Sequence, residues 1–123
     1  MGKTEKRQHG DAAEQLVVEH LERDGWVIRD RNVIYQRGEL DVVAQKGEVL
    51  AFVEVRMRAS AVWGDPSATV SFAKQRRVVR AAMEYLQQHR LHRQVIRFDV
   101  ASVVGRGRAG VVELIPDAFE AGL

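Results

Sequence analysis

The chain has 123 residues, 46% hydrophobic and 29% charged, with no cysteine and a formal net charge of +2. That length allows one domain with its own core and excludes two, and the lack of cysteine excludes disulfides, thiolate metal sites and cysteine nucleophiles. No apolar run approaches the roughly 20 residues of a membrane-spanning helix, and the opening MGKTEKRQHG has no signal-peptide core, so a cytoplasmic protein with no membrane partner is expected.

Residues 1–8 read as a flexible tail and 9–119 as the folded domain. DAAEQLVVEHLERD (11–24) has the periodicity of a first helix, with Asp11 as N-cap, Glu14 at capping-box spacing and Gly25 as the stop. Ala13, Leu16, Val17, His20 and Leu21 make its inward stripe. Glu14 lies about 60° from Val17 on the helical wheel, close to that stripe. A carboxylate there needs a partner or a metal, unless it folds back as a capping residue; both readings stay open.

WVIRDR (26–31) reads as a first strand, followed by a loop through Tyr35. GELDVVA (38–44) is a second strand, and VLAFVEVRMR (49–58) a third, joined by a tight turn at Lys46-Gly47. Alternation places Leu50, Phe52, Glu54, Arg56 and Arg58 on one face of the third strand. With that turn, Asp41 stands opposite Phe52 and Glu39 opposite Glu54. Asp41 and Glu54 then share a face as diagonal neighbours, near enough to reach one cation. A slip of one residue would separate them.

A loop with Trp63 follows, and Trp63 can stack on a base or tuck against the core. Thr69 or Ser71 caps a second helix running to about residue 90, with Val78, Ala82, Tyr85 and Leu86 inward and Lys74 on the inward side at its start. VIRFDVASVV (95–104) is a fourth strand. VVELI (111–115) is a fifth, at the sheet edge and ending before Pro116. The charge is uneven: residues 71–97 contain seven Lys/Arg and one acid, a local +6. Arg76, Arg77 and Arg80 lie on the polar side of the second helix and suit phosphate contacts, although a charged solvated face is the commoner explanation of such a run. The histidines share no face with the acids; His89 and His92 fall at a helix end, where cations are favoured.

The ordered set G-D-A-A-E, G-E-L-D, F-V-E-V-R-M-R, a helix with Lys74, R-F-D-V and D-A-F resembles the YraN family of bacteria, over about residues 9–119. That family looks like a branch of the PD-(D/E)XK nuclease superfamily near the archaeal Holliday-junction resolvases. The resemblance implies a single α/β domain with a mixed central sheet of about five strands flanked by helices, in the order α-β-β-β-α-β-β. It implies metal-dependent phosphodiester hydrolysis of DNA, more readily than RNA, on branched or structured substrates. Asp41 and Glu54 would carry over as ligands of Mg²⁺ or Mn²⁺, with the backbone carbonyl of Val55 as a third ligand and Glu14 matching the acid on the first helix. Arg56 stands where the superfamily has lysine; arginine cannot act as a general base but can stabilise developing charge, and Lys74 can supply the missing lysine. Arg76, Arg77 and Arg80 would follow the substrate backbone, and a homodimer is expected by analogy with the resolvases. Two other classes remain open: a non-catalytic nucleic-acid-binding module, which Arg56 favours, and a protein-interaction scaffold.

Overall fold

In the computed structural model, residues 5–58, 70–105 and 107–122 are described, with side chains from Asp11 onward. The first helix, α1, spans Glu5–Arg23. It begins before Asp11, within the stretch expected as a tail, because Glu5, Lys6, Arg7 and Gln8 are good helix formers and one glycine at position 10 does not end a helix. Asp11 is therefore an interior residue and not an N-cap. The helix does stop at Gly25: with φ 89° the glycine donates to the Glu22 carbonyl, and Trp26 donates to that of Leu21, the paired bonds of a Schellman motif. The face it buries is Ala13, Glu14, Val17, Val18 and Leu21; Leu16 and His20, expected inside, are half-buried.

Three antiparallel strands follow: β1 (Val27–Tyr35), β2 (Gly38–Lys46) and β3 (Val49–Arg58). The expected loop through Tyr35 shrinks to Gln36-Arg37. The second hairpin turns at Gly47-Glu48, one residue later than expected, with Gly47 at φ 59°. This moves the register by two. Val42 pairs with Val53 and Val43 with Phe52, so the next position along the ladder sets Asp41 against Glu54 and not against Phe52. A shift of two keeps every side chain on its face, so the expected cofacial pair survives the wrong turn position.

The second helix, α2 (Phe72–Gln88), is capped by Ser71, whose Oγ accepts a 3.1 Å bond from the Lys74 amide. Thr69, the other expected cap, and Trp63 lie outside the described residues. The chain then forms β4 (Val95–Val104), a short 3₁₀ turn at Gly107–Ala109 and β5 (Val111–Phe119). The sheet order is β1-β2-β3-β4-β5, with β3 and β4 parallel across the α2 crossover and the other neighbours antiparallel. β5 continues past Pro116 because it is an edge strand, where proline's missing N–H costs no ladder bond. A register shift opposite Phe98–Val100 absorbs the proline, and Asp117 at φ 53° donates its amide to Asp99 Oδ1.

Alternation along β3 builds two cores. Ala51 and Val53 pack with Val17, Leu21, Val42 and Val103 on the α1 face. Leu50 and Phe52 pack with Val78, Ala82, Tyr85 and Phe98 on the α2 face. The result is a helix–sheet–helix domain in the expected order α-β-β-β-α-β-β. Phe52 stacks on Phe98 at 5.7 Å and meets Tyr85 edge-on at 5.9 Å. α2 lies so close to β2 that a Cβ on Gly38 would sit 2.5 Å from the Arg77 carbonyl. This close approach fixes the distance between α2 and the start of the GELD strand.

Candidate functional site

The site forms where the β2–β3 ladder ends. Beyond Val42–Val53 no further pair is made, and Asp41 turns its carboxylate onto the neighbouring strand: Oδ2 accepts the Val55 amide at 2.9 Å. An extended residue projects its N–H and C=O to the same side, so the Val55 carbonyl also faces the gap beside Asp41. The backbone opposite is irregular as well. Asn32 of β1, in register with Asp41, has φ 53°. On either side of Asp41, Leu40 joins the α2-face core and Val42 the α1-face core, so regular alternation breaks at this residue.

Glu54 is 2% exposed. Burial is the main reason its carboxyl is pushed up from 4.5 to about 7; the Asp41 charge adds to this, and Lys74 and then Arg56 oppose it. Asp41 is raised too, mostly by burial, with the Val55 amide and Lys74 pulling down and Glu39 and Glu14 pushing up. Lys74 Nζ lies 3.3 Å from Glu54 Oε1, which confirms its inward placement at the start of α2. Lys74 and Arg56 do not offset the desolvation of the two acids, and that residual demand for positive charge is the main electrostatic property of the site.

Glu14 reaches the same neighbourhood from α1. It is buried, and its Oε1 accepts from Arg31 Nε at 2.8 Å and Asn32 Nδ2 at 2.9 Å. The capping reading of Glu14 therefore fails: the side chain points across to β1. Arg31 and Asn32 were not singled out in the sequence. The available signal was Asn32 itself, since asparagine is among the residues that most readily take a left-handed backbone. Arg56 is half-buried on β3, two residues beyond Glu54, and stands beside Ser102 of β4. Among the described residues no group of three or more His, Cys, Asp or Glu converges as a ready metal cluster. A hard cation would therefore depend on the two carboxylates and backbone oxygen. The donor types suit Mg²⁺ or Mn²⁺, and the raised carboxyls fit a position where such charge is welcome.

The arginines of α2 are exposed and divide between two concavities. Arg77 and Lys74 line a recess of about 340 Å³ with Glu39 and Arg37. Arg76 and Arg80 line a larger groove of about 580 Å³, again with Arg37. Arg37, in the β1–β2 turn, belongs to both; as a loop residue with no periodic signal around it, it carries no mark of this role in the sequence. The R-F-D-V and D-A-F segments are structural: Asp99, fully buried, takes two 2.9 Å bonds from Arg97, whose guanidinium lies 5.0 Å from the Trp26 ring, and it also holds the Asp117 amide. His89 caps α2 with its ring 4.1 Å from that of Tyr85, away from the acids.

Fold and site together define a one-domain α/β protein with a buried and a half-buried acid paired at the split of a β-hairpin and an arginine-bearing helix alongside. Comparison with known proteins gives its family. The family model described as "Uncharacterised protein family UPF0102" matches residues 13–103. The chain is 56% identical over 119 residues to a UPF0102 protein of Myxococcus xanthus, covering 97% of this chain and 94% of that one. It is 40% identical over 111 residues to one of Geobacter metallireducens (90% and 91% covered) and 43% identical over 111 to one of Syntrophotalea carbinolica (90% of each). The chain belongs to the UPF0102 family, the YraN family that its motifs resemble. No helix among the described residues is long and apolar enough to cross a membrane.

Proposed function

We propose that this protein is a metal-dependent nuclease acting on DNA with branched or single-stranded features. The observation that carries the reading is the pair of buried Glu54 and half-buried Asp41: Asp41 is close enough to help raise the Glu54 carboxyl, and Lys74 and Arg56 only partly balance the two acids. Asp41, Glu54 and the Val55 carbonyl would hold Mg²⁺ or Mn²⁺. Once bound, the ion would lower the pKa of a coordinated water and neutralise the scissile phosphate. Lys74 holds Glu54 in place and offers a proton-bearing ammonium at the site, the role Arg56 cannot fill; Arg56 stabilises negative charge developing on the phosphate. Glu14 is held by Arg31 and Asn32 through Oε1, and would position a water or a second ion from α1. Arg76, Arg77 and Arg80 contact the substrate backbone.

The fold order and the hairpin-borne acid pair support placing the domain among the restriction-endonuclease-like folds. We extend the proposal to a homodimer working in the cytoplasm, with sedimentation velocity as the test of assembly. The deciding assay is cleavage of labelled flapped and four-way DNA with Mg²⁺ or Mn²⁺. Cleavage lost in Asp41→Ala and in Glu54→Ala supports the enzyme. A second reading, a nucleic-acid-binding module without turnover, is favoured by Arg56 and by the engagement of Glu14 with Arg31 and Asn32. It predicts salt-sensitive binding that is indifferent to Asp41→Ala, with no cleavage in either metal.

A further inference from the structure

The larger groove on α2 has a composition that the acid pair does not explain. It is walled by Arg37, Arg76 and Arg80 against one acid, Glu84, and floored by Val79 and Met83, the latter 45% exposed. At its Arg76 side stands Phe72, 69% exposed, with the Arg76 guanidinium 5.8 Å from its ring. Arg37 also walls the recess that holds Lys74 and Arg77. Since Lys74 is the partner of Glu54, a track of cations runs from the acid pair past Arg37 into the groove.

We infer that this groove binds a single-stranded arm of DNA leaving the acid site. The composition of the groove selects a single strand over a duplex. A duplex offers phosphates with its bases turned inward, and would leave Val79, Met83 and the Phe72 ring without partners. A single strand offers phosphates to guanidinium forks together with unpaired base faces for an apolar floor and an aromatic platform. The groove, at about 580 Å³, is on the scale of a nucleotide or two. Arg37 acts as the hinge-point contact, holding the phosphate that passes from recess to groove. The inference rests on the nuclease reading for its direction of exit, but the binding preference stands without it. The substrate class follows: flaps, splayed arms and gapped junctions, in preference to blunt duplex.

The test is fluorescence anisotropy in chelator with full-length protein, so that cleavage plays no part. The probes are a labelled oligothymidylate of about ten residues and a blunt duplex of matched length. The parent is expected to bind the single strand at least about tenfold more tightly than the duplex. Arg37→Ala and Arg80→Ala each weaken single-strand binding about fivefold and reduce the dependence of log affinity on log salt by about 0.7. Phe72→Ala weakens binding about fivefold with the salt slope unchanged, because stacking releases no counterions. Asp41→Asn binds at least as well as the parent. All three groove residues are exposed, and circular dichroism confirms that the variants fold. Equal affinity for duplex and single strand overturns the inference, as does indifference to the arginine and Phe72 changes, or competition by polyglutamate as effective as by unlabelled oligothymidylate. Failure of the nuclease reading looks different: no cleavage of any substrate, with groove binding intact.

Discussion

Replacing Glu54 with glutamine should stabilise the metal-free protein, and by an amount that depends on pH. Folded Glu54 titrates at about 7 where an ordinary glutamate titrates at 4.5. Between those values the unfolded chain has released a proton that the folded chain still holds, so stability falls as pH rises through the interval. The difference corresponds to about 3 kcal/mol lost by about pH 8 relative to about pH 4.5. Glutamine keeps the shape and removes the charge, so the variant escapes that loss. It also relieves Asp41, whose carboxyl Glu54 repels, and it gives up the Lys74 contact, which offsets part of the gain. Urea denaturation in chelator measures the outcome. Near pH 4.5 the two proteins should differ by less than about 1 kcal/mol, and near pH 8 the variant should be about 2–3 kcal/mol more stable. A variant equally or less stable at both pH values would mean instead that Lys74 and Arg56 already overcompensate the burial of Glu54.

Other predictions follow from the same coordinates. Mn²⁺ affinity should rise as pH goes from about 6 to about 8 and then level off, with protons released on binding, because the cation competes for carboxyls held partly protonated; titration in buffers of different ionisation heat detects the protons. Gly38→Ala should cost about 2 kcal/mol or more in urea denaturation, since the added Cβ meets the Arg77 carbonyl at 2.5 Å and must push α2 away from β2. Arg97→Met should cost about 3 kcal/mol by the same assay, because it leaves the fully buried Asp99 without its bidentate partner. Tyr85→Phe should cost about 1 kcal/mol by removing the 2.8 Å bond from the hydroxyl to Asp30.

Much of this architecture was legible in the residues because local signals agreed. The Gly25 stop, the Ser71 cap and the bounds of β3 and β4 follow from helix and strand chemistry that tertiary context reinforces. The approach of Asp41 to Glu54 was legible because a turn misplaced by one residue shifts the register by two, which keeps parity along β2 from the turn up to the break in alternation at Asp41. What escaped depended on contacts remote in sequence. Nothing local says that Glu14 reaches Arg31 and Asn32, so the residues alone leave its capping and partnered readings open. Nothing local says that Asp41 abandons the ladder for the Val55 amide. β5 passed Pro116 because its edge position, a property of the whole sheet, makes the proline harmless. Arg37 gained its place only when the hairpin turn met α2, an approach that Gly38 permits but does not announce.

If Asp41 and Glu54 form one cation-binding pair, isothermal titration with Mn²⁺ near pH 8 will show it. The parent should give a saturable heat that disappears in Asp41→Asn, while the variant keeps its fold by circular dichroism. Equal heats from parent and variant, or none from the parent, would contradict it.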